Sequence, residues 1–155
     1  MSLASTAELN ACLNKEQRLL GLDVGEKTIG LALSDTSRTI ASPLETISRS
    51  KFTKDVETLK QRIVKHGVGA LVIGYPVNMD GSEGPRCQSI RQFARNLEKA
   101  LPLPLLLWDE RMSTMAATRM MLEADLSRQR RGELVDKIAA SYILQGVLDY
   151  LNKTP

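Results

Sequence analysis

One uninterrupted apolar run near the start of the chain constrains the fold more than any other feature. The run from Leu19 to Val24 is apolar except for Asp23, and Gly25 follows it. A run of this kind is typical of a strand that is buried on both faces, which requires covering elements on both sides of a sheet. An ionised carboxylate within such a strand is costly unless it is paired or binds a metal. The run therefore predicts a buried strand that carries a carboxylate at its carboxyl end.

Asp23 is accordingly a candidate functional residue. Gly25 allows the backbone to turn tightly, or allows a phosphate or metal to come close. Residues 28–34 have strand character of their own and follow at once, which predicts a hairpin. A strand that ends in Asp-x-Gly and continues as a hairpin is a candidate metal or phosphate site. The alternative is that Asp23 caps the strand end or the turn.

Size and composition indicate one globular domain with its own core. The chain has 155 residues, 43% of them hydrophobic, a net charge of +3 and a pI of about 9.0. This mild basic bias permits a polyanionic partner without requiring one. Cys12 and Cys87 are far apart, and the single histidine, His66, is expected at a helix end, which argues against a zinc site. We find neither a membrane-spanning run nor a signal peptide, and expect a reduced, cytoplasmic setting.

The hydrophobic pattern changes from strands to alternating helices and strands along the chain. Three strands are expected at about 18–24, 28–35 and 38–48, followed by a helix that ends at Gly67. Further elements are a strand at 70–74, a helix that contains Ile90 and Leu97, a strand at 103–108, and helices at 114–124 and 133–152.

This order predicts an α/β fold with a five-stranded mixed sheet in the order 3-2-1-4-5 and helices on both faces. Strands one, four and five are parallel, so a site is expected beyond their carboxyl ends. The predicted domain spans residues 18–155. Residues 1–17 form an N-terminal appendage with a short helix, started by Ser5 and Glu8 at capping-box spacing.

Acids from distant parts of the chain are expected to meet at this edge of the sheet. Strand one ends near Asp23, strand five is followed by Asp109 and Glu110, and the last helix has Asp136 in its first turn, on its apolar face. The alternatives are that Asp136 only stabilises the helix N-terminus and that Glu110 pairs with Arg111 on a loop.

The chemistry of these acids favours a hard metal ion. Close carboxylates raise each other's pKa unless a cation lies between them. Oxygen ligands without histidine or cysteine suit Mg²⁺ or Mn²⁺. A pair of such ions about 3.5–4 Å apart can activate a water and stabilise the leaving oxygen of a phosphodiester, which is the chemistry of a nuclease.

The chain also resembles the YqgF family, whose members carry the names pre-16S rRNA nuclease and Holliday junction resolvase. The resemblance covers about residues 18–151 and rests on four segments. These are Leu22–Gly25 with Thr28–Ala32, Gly74–Arg86, Asp109–Thr114, and Val135–Ala140 followed by Ile143–Gln145.

The resemblance implies an RNase H-like fold and metal-dependent hydrolysis, with Asp23, Glu110 and Asp136 as catalytic residues and metal ligands. It also favours 5′-end processing of precursor 16S rRNA, with ribosomal particles as partners and a monomer or weak homodimer. The alternatives are a resolvase that acts on branched DNA and a non-catalytic RNA-binding protein of ribosome assembly. An actin-like phosphotransferase also starts with Asp-x-Gly and a hairpin, but it needs two related domains, for which the chain is too short.

Arginines near the acids are candidate nucleic-acid contacts. Arg86 opens a helix after a turn-rich loop, where a guanidinium and backbone amides could hold a phosphate; the alternative is that Arg86 pairs with a carboxylate. Arg111 follows Glu110 directly. Arg128, Arg130 and Arg131 precede Asp136 and are expected to grip a phosphate backbone, or else to form an ordinary solvated surface.

Overall fold

The computed structural model describes residues 5–78, 80–112 and 136–153. The strands are β1 (Arg18–Val24), β2 (Thr28–Ser34), β3 (Ala41–Ser48), β4 (Val68–Tyr75) and β5 (Leu105–Asp109). The helices are α1 (Thr6–Cys12), α2 (Phe52–His66), α3 (Pro85–Ala100) and α4 (Asp136–Lys153), and a 3₁₀ turn (Glu110–Met112) follows β5.

The five strands form one sheet in the order β3-β2-β1-β4-β5, as predicted. β1 pairs antiparallel with β2 and parallel with β4, and β4 pairs parallel with β5. The carboxyl ends of β1, β4 and β5 therefore share one edge of the sheet, which we call the carboxyl edge.

The start of β3 differs from the prediction and the end of α2 agrees with it, each for a local reason. β3 starts at Ala41 rather than near residue 38, because the Asp35 carboxylate accepts hydrogen bonds from the backbone N–H groups of Thr39 and Ile40 and forms a turn there. α2 ends where expected, because Gly67 adopts a left-handed φ of 65° and its N–H donates to Ile63. The helix predicted at 114–124 lies outside the described residues.

The sheet separates two hydrophobic cores. The core on the side of α2 and α3 holds mostly large aliphatic and aromatic side chains, among them Leu20, Leu22, Ile73, Phe93 and Leu105. The core on the side of α4 mixes large side chains with small ones, among them Ala32, Ala70, Ala139, Ala140 and Trp108. Successive residues of β1, β2 and β5 alternate between the two cores, as the period of a strand requires, and the alternation in β3 and β4 is interrupted near the register shifts in their pairing.

Helix α4 packs closely against the centre of the sheet, where β1 carries a glycine. A Cβ at Gly21 would lie 2.9 Å from the Leu144 Cβ and 3.2 Å from the Ala140 carbonyl oxygen. The other end of α4 is bound to the start of β3, where the Gln145 side chain accepts from the Ala41 N–H and Asn152 donates to the Arg38 carbonyl. The helix therefore begins toward the carboxyl edge and ends near the opposite edge.

Helix α1 belongs to the same side as α4. The Ser5 side chain caps it by accepting from the Glu8 N–H, as the spacing predicted. Leu9 is completely buried in the core beneath α4, and Leu13 packs against that core. Over the residues that the structure describes, no helix combines the length and the apolar character needed to cross a membrane.

Candidate active site

Asp23 and Glu110 lie on the same face of the sheet, at its carboxyl edge. In β1, Asp23 shares the α4 side with Leu19 and Gly21. In β5, Trp108 also faces α4, so that Glu110, two residues later, continues on this side. Both carboxylate residues are buried, with 4% and 5% of their surface exposed.

A glycine separates these two acids. β4 lies between β1 and β5, and Leu22 pairs with Ile73, so Gly74 is the β4 residue beside Asp23. A Cβ at Gly74 would lie 3.5 Å from the Glu110 Oε1. No side chain of β4 therefore stands between the two acids, and the Ile143 side chain from α4 packs directly over Gly74.

The third predicted acid begins helix α4. Asp136 is the first residue of α4, one turn before Ala140, whose carbonyl lies against Gly21. This register puts the backbone of Asp136 on the side of the carboxyl edge, while its side chain is outside the described part of the structure. Among the described side chains, no group of three histidines, cysteines or acids is arranged to hold a metal.

Arg86 lies beside Asp23. Its Nη2 is 3.5 Å from the Asp23 Oδ1, and 49% of its side chain is exposed. This contact corresponds to the alternative in which Arg86 pairs with a carboxylate, and that carboxylate is the predicted catalytic one. Because half of the side chain stays in solvent, the guanidinium can also reach an anion at the edge.

Arg111 binds Asp109, which lies two residues before it in the chain. The Arg111 backbone N–H, Nε and Nη2 all donate to the Asp109 carboxylate, over 2.8–3.2 Å. These bonds lower the pKa of Asp109 and raise that of Arg111. Asp109, which holds Arg111, points to one side of β5, whereas Glu110 is buried on the side of α4.

The loop between β4 and α3 closes on itself next to Arg111. The Asn78 N–H donates to the Ser82 carbonyl, and the Ser82 N–H donates to the Asp80 carboxylate. Gly81 takes a φ of 91°, and a Cβ there would lie 3.5 Å from the Arg111 Nη1. The hydrogen bonds from Ser82 lower the pKa of Asp80.

Two arginines that the sequence analysis did not single out brace the site. Arg49 donates to the carbonyl of Gly25, in the turn after Asp23, and its guanidinium lies 5.0 Å from the centre of the Phe93 ring of α3. Arg91 of α3 binds Glu83 at the end of the loop. Nothing in their local sequence marks these contacts, since each joins residues from different elements. Arg128, Arg130 and Arg131 lie outside the described residues.

Comparison with known proteins finds relatives that match most of the chain. Residues 17–150 match the RuvX family, which is described as Holliday junction resolvase. A protein of Paramagnetospirillum magneticum named "Putative pre-16S rRNA nuclease" is 62% identical over 96% of both chains. A protein of the same name from Rhodobacter capsulatus is 60% identical over 91% of this chain and 89% of its own.

Solved structures are similar in fold. A Thermus thermophilus RuvC in complex with a Holliday junction substrate superposes with a TM-score of 0.51 at 13% identity, over 87% of this chain and 96% of that one. A second Thermus thermophilus RuvC structure gives a TM-score of 0.50 at 12% identity, over 88% and 97%. The predicted RNase H-like fold is thus confirmed.

The fold defines a protein of the RNase H-like class. Within that class, the chain belongs to the RuvX family, also called YqgF, as the resemblance in the sequence indicated.

Proposed function

We propose that the chain is a metal-dependent nuclease that hydrolyses phosphodiester bonds in structured nucleic acid. The observation that carries this proposal is the pair Asp23 and Glu110, two buried acids on one face of the carboxyl edge, whose strands are separated by β4 at Gly74. Burial of two carboxylates on one face is favourable only when positive charge compensates them. Arg86 supplies one such charge beside Asp23, and a divalent ion would supply another.

The donor set fits a hard divalent ion. Asp23, Glu110 and Asp136 would hold Mg²⁺ or Mn²⁺, because all three offer carboxylate oxygens and the single histidine of the chain, His66, ends helix α2. When bound, such ions activate a water and stabilise the leaving oxygen of a phosphodiester.

The remaining groups of the edge bind and orient the nucleic acid. Arg86 is half exposed beside Asp23 and is suited to hold a phosphate oxygen near the acids. Asp109 holds the Arg111 side chain next to Gly81, in the loop between β4 and α3, and Arg111 adds positive charge there. Arg128, Arg130 and Arg131 extend this grip in our proposal.

The proposed substrate is the 5′ end of precursor 16S rRNA, in the cytoplasm and on ribosomal particles. The names of relatives that are 50–62% identical support RNA as the substrate. The description of the family favours a second candidate, a Holliday junction in DNA. Symmetric cutting of a junction requires two sites related by a twofold axis, whereas one monomer is sufficient to trim an RNA end.

A cleavage assay with an isosteric variant tests the function. The purified chain is given Mg²⁺ or Mn²⁺ with precursor rRNA fragments and, separately, with four-way DNA junctions, beside Asp23→Asn. We expect cleavage of the RNA by the parent, and binding without cleavage by the variant, because the substitution removes a ligand charge and keeps the shape. Equal cleavage by Asp23→Asn, or by the parent in a chelator, would refute the metal mechanism. Binding without cleavage by the parent would favour the non-catalytic alternative.

The salt dependence of binding tests the arginines that precede Asp136. Replacing Arg128, Arg130 and Arg131 together by glutamine should reduce the slope of log K against log[salt] by about 2–3 units, if each neutralises one phosphate. The matched control replaces three exposed lysines that lie far from the carboxyl edge, namely Lys60, Lys65 and Lys99. An unchanged slope in the arginine variant would make this segment an ordinary solvated surface.

A further inference from the structure

The loop that leads from β4 to α3 is tied down at both of its ends. At its start, the Cys87 thiol of α3 donates to the Pro76 carbonyl over 3.3 Å. At its end, Glu83 binds two partners, Tyr75 and Arg91. Neither the proposed chemistry nor the proposed phosphate contacts use these groups.

Glu83 joins the last residue of β4 to the second turn of α3. The Tyr75 hydroxyl and the Arg91 Nη2 both donate to the same Glu83 oxygen, Oε1. The Arg91 guanidinium also lies 5.3 Å from the centre of the Tyr75 ring. Tyr75 is buried, and this burial and its bond to Glu83 raise its pKa, so that it stays a donor throughout the usual pH range. Charge-assisted hydrogen bonds of this kind are stronger than neutral ones.

Glu83 directly precedes the start of α3. Only Gly84 and Pro85 separate Glu83 from Arg86, and the ring of Pro85 fixes its φ at the first helical position. A displaced Glu83 would therefore displace the first turn of α3, and with it the Arg86 guanidinium, whose Nη2 lies 3.5 Å from the Asp23 carboxylate.

We propose that Tyr75, Glu83 and Arg91 form a clamp that positions Arg86 at the carboxyl edge for binding the phosphate that is cut. These three are positioning residues, since they act through Arg86. The inference rests on the proposed function and names the part of the chain that aligns the nucleic acid with the acids.

A double-mutant cycle between Tyr75→Phe and Arg86→Ala tests the clamp. Tyr75→Phe removes one hydroxyl and retains the ring beneath Arg91. Used alone, it should raise the KM for the nucleic acid by about threefold to tenfold, which lies in the lower part of the coupling measured between contacting residues. It should change kcat by less than about twofold, because the ground state and the transition state lose the same binding free energy. In the Arg86→Ala background, the same substitution should leave KM unchanged.

The controls separate positioning from general stability. Tyr142→Phe removes a hydroxyl from an exposed tyrosine of α4, and Glu45→Gln breaks the ion pair with Arg62 between β3 and α2. Neither should alter KM. Glu83→Gln is a second clamp variant and should reproduce the effect of Tyr75→Phe, with thermal unfolding recorded for every variant.

Two results would overturn the clamp: an unchanged KM in both clamp variants, or the same rise in KM with and without Arg86. Either result leaves the proposed function intact if Asp23→Asn still abolishes cleavage. If the parent does not cleave, the proposed function fails instead. The double-mutant cycle is then measured with the Kd for the same RNA, by fluorescence anisotropy. Additive effects of the two substitutions on the free energy of binding would again refute the clamp.

Discussion

The two faces of the sheet are built from different residues and serve different purposes. On the side of α2 and α3, large side chains such as Leu22 and Ile73 fill a thick core. On the side of α4, Gly21 and Gly74 let the helix come close. The same face ends in the buried Asp23 and in Glu110. The comparison teaches that the candidate site lies on the face where α4 packs over glycines, because a side chain at Gly21 or Gly74 would collide with the helix.

The largest effect on turnover is expected at the buried acid Glu110, and the buried acid Asp55 on the other side of the sheet is its comparison. Glu110→Gln should reduce turnover about a thousandfold or more, because a lost metal ligand removes several kcal/mol of transition-state stabilisation. Asp55 is equally buried, with 4% exposed, but it accepts hydrogen bonds from the backbone and side chain of Ser50 at the start of α2. Asp55→Asn should keep turnover and lower the free energy of unfolding by about 1–2 kcal/mol.

Steady-state cleavage and urea unfolding of both variants measure this contrast. If Glu110→Gln cleaves like the parent, or Asp55→Asn loses turnover while it remains folded, the assignment of chemistry to the α4 face is wrong.

A smaller effect is expected from adding one methyl group beneath α4. Gly21→Ala should lower the free energy of unfolding by about 1–3 kcal/mol, as overpacking does, because the Ala140 carbonyl and the Leu144 Cβ belong to a rigid helix. It should also lower kcat, because the displaced helix carries Asp136. The control on the other face is Ile73→Val, which should cost about 0.5–1.5 kcal/mol and leave kcat unchanged.

Denaturant midpoints and single-turnover rates together decide this prediction. A Gly21→Ala chain with the stability of the parent would show that α4 is free to move. A variant that is destabilised but keeps its kcat would show that the packing of α4 against β1 does not affect catalysis.

The smallest effect is expected far from both cores, at the turn before β3. Hydrogen bonds from Thr39 and Ser37 lower the pKa of Asp35 below its usual 3.8. A carboxyl group whose pKa is lower in the folded protein than in the unfolded chain stabilises the fold at any pH above its unfolded pKa. This stabilisation is lost as the pH falls through the folded pKa. Asp35→Asn should therefore be slightly less stable than the parent at neutral pH, and the difference should vanish in acid.

Urea unfolding at about pH 7 and about pH 3 checks the sign of this effect. A difference that grows in acid would contradict it. Cleavage should be the same in both chains, because this turn lies at the edge of the sheet opposite the acids.

Local patterns alone predicted most of the framework. The apolar run around Asp23 gave a central strand, the alternation of patterns gave the order of strands, and together they brought Asp23 and Glu110 to one edge. These predictions succeed because periodicity, chain direction and crossover handedness are properties of short segments and of their order. The short helix capped by Ser5 was predictable for the same reason.

Only the tertiary structure decided which partners these residues have. It paired Arg86 with Asp23 and Arg111 with Asp109, joined Glu83 to Tyr75 and Arg91, and buried Leu9 beneath α4. Long, charged side chains reach several neighbours at nearly equal cost, so their choice depends on the distances between elements that the sequence does not state. The position of an acid thus follows from its own strand, whereas the partner that holds it follows from the packing of the whole chain.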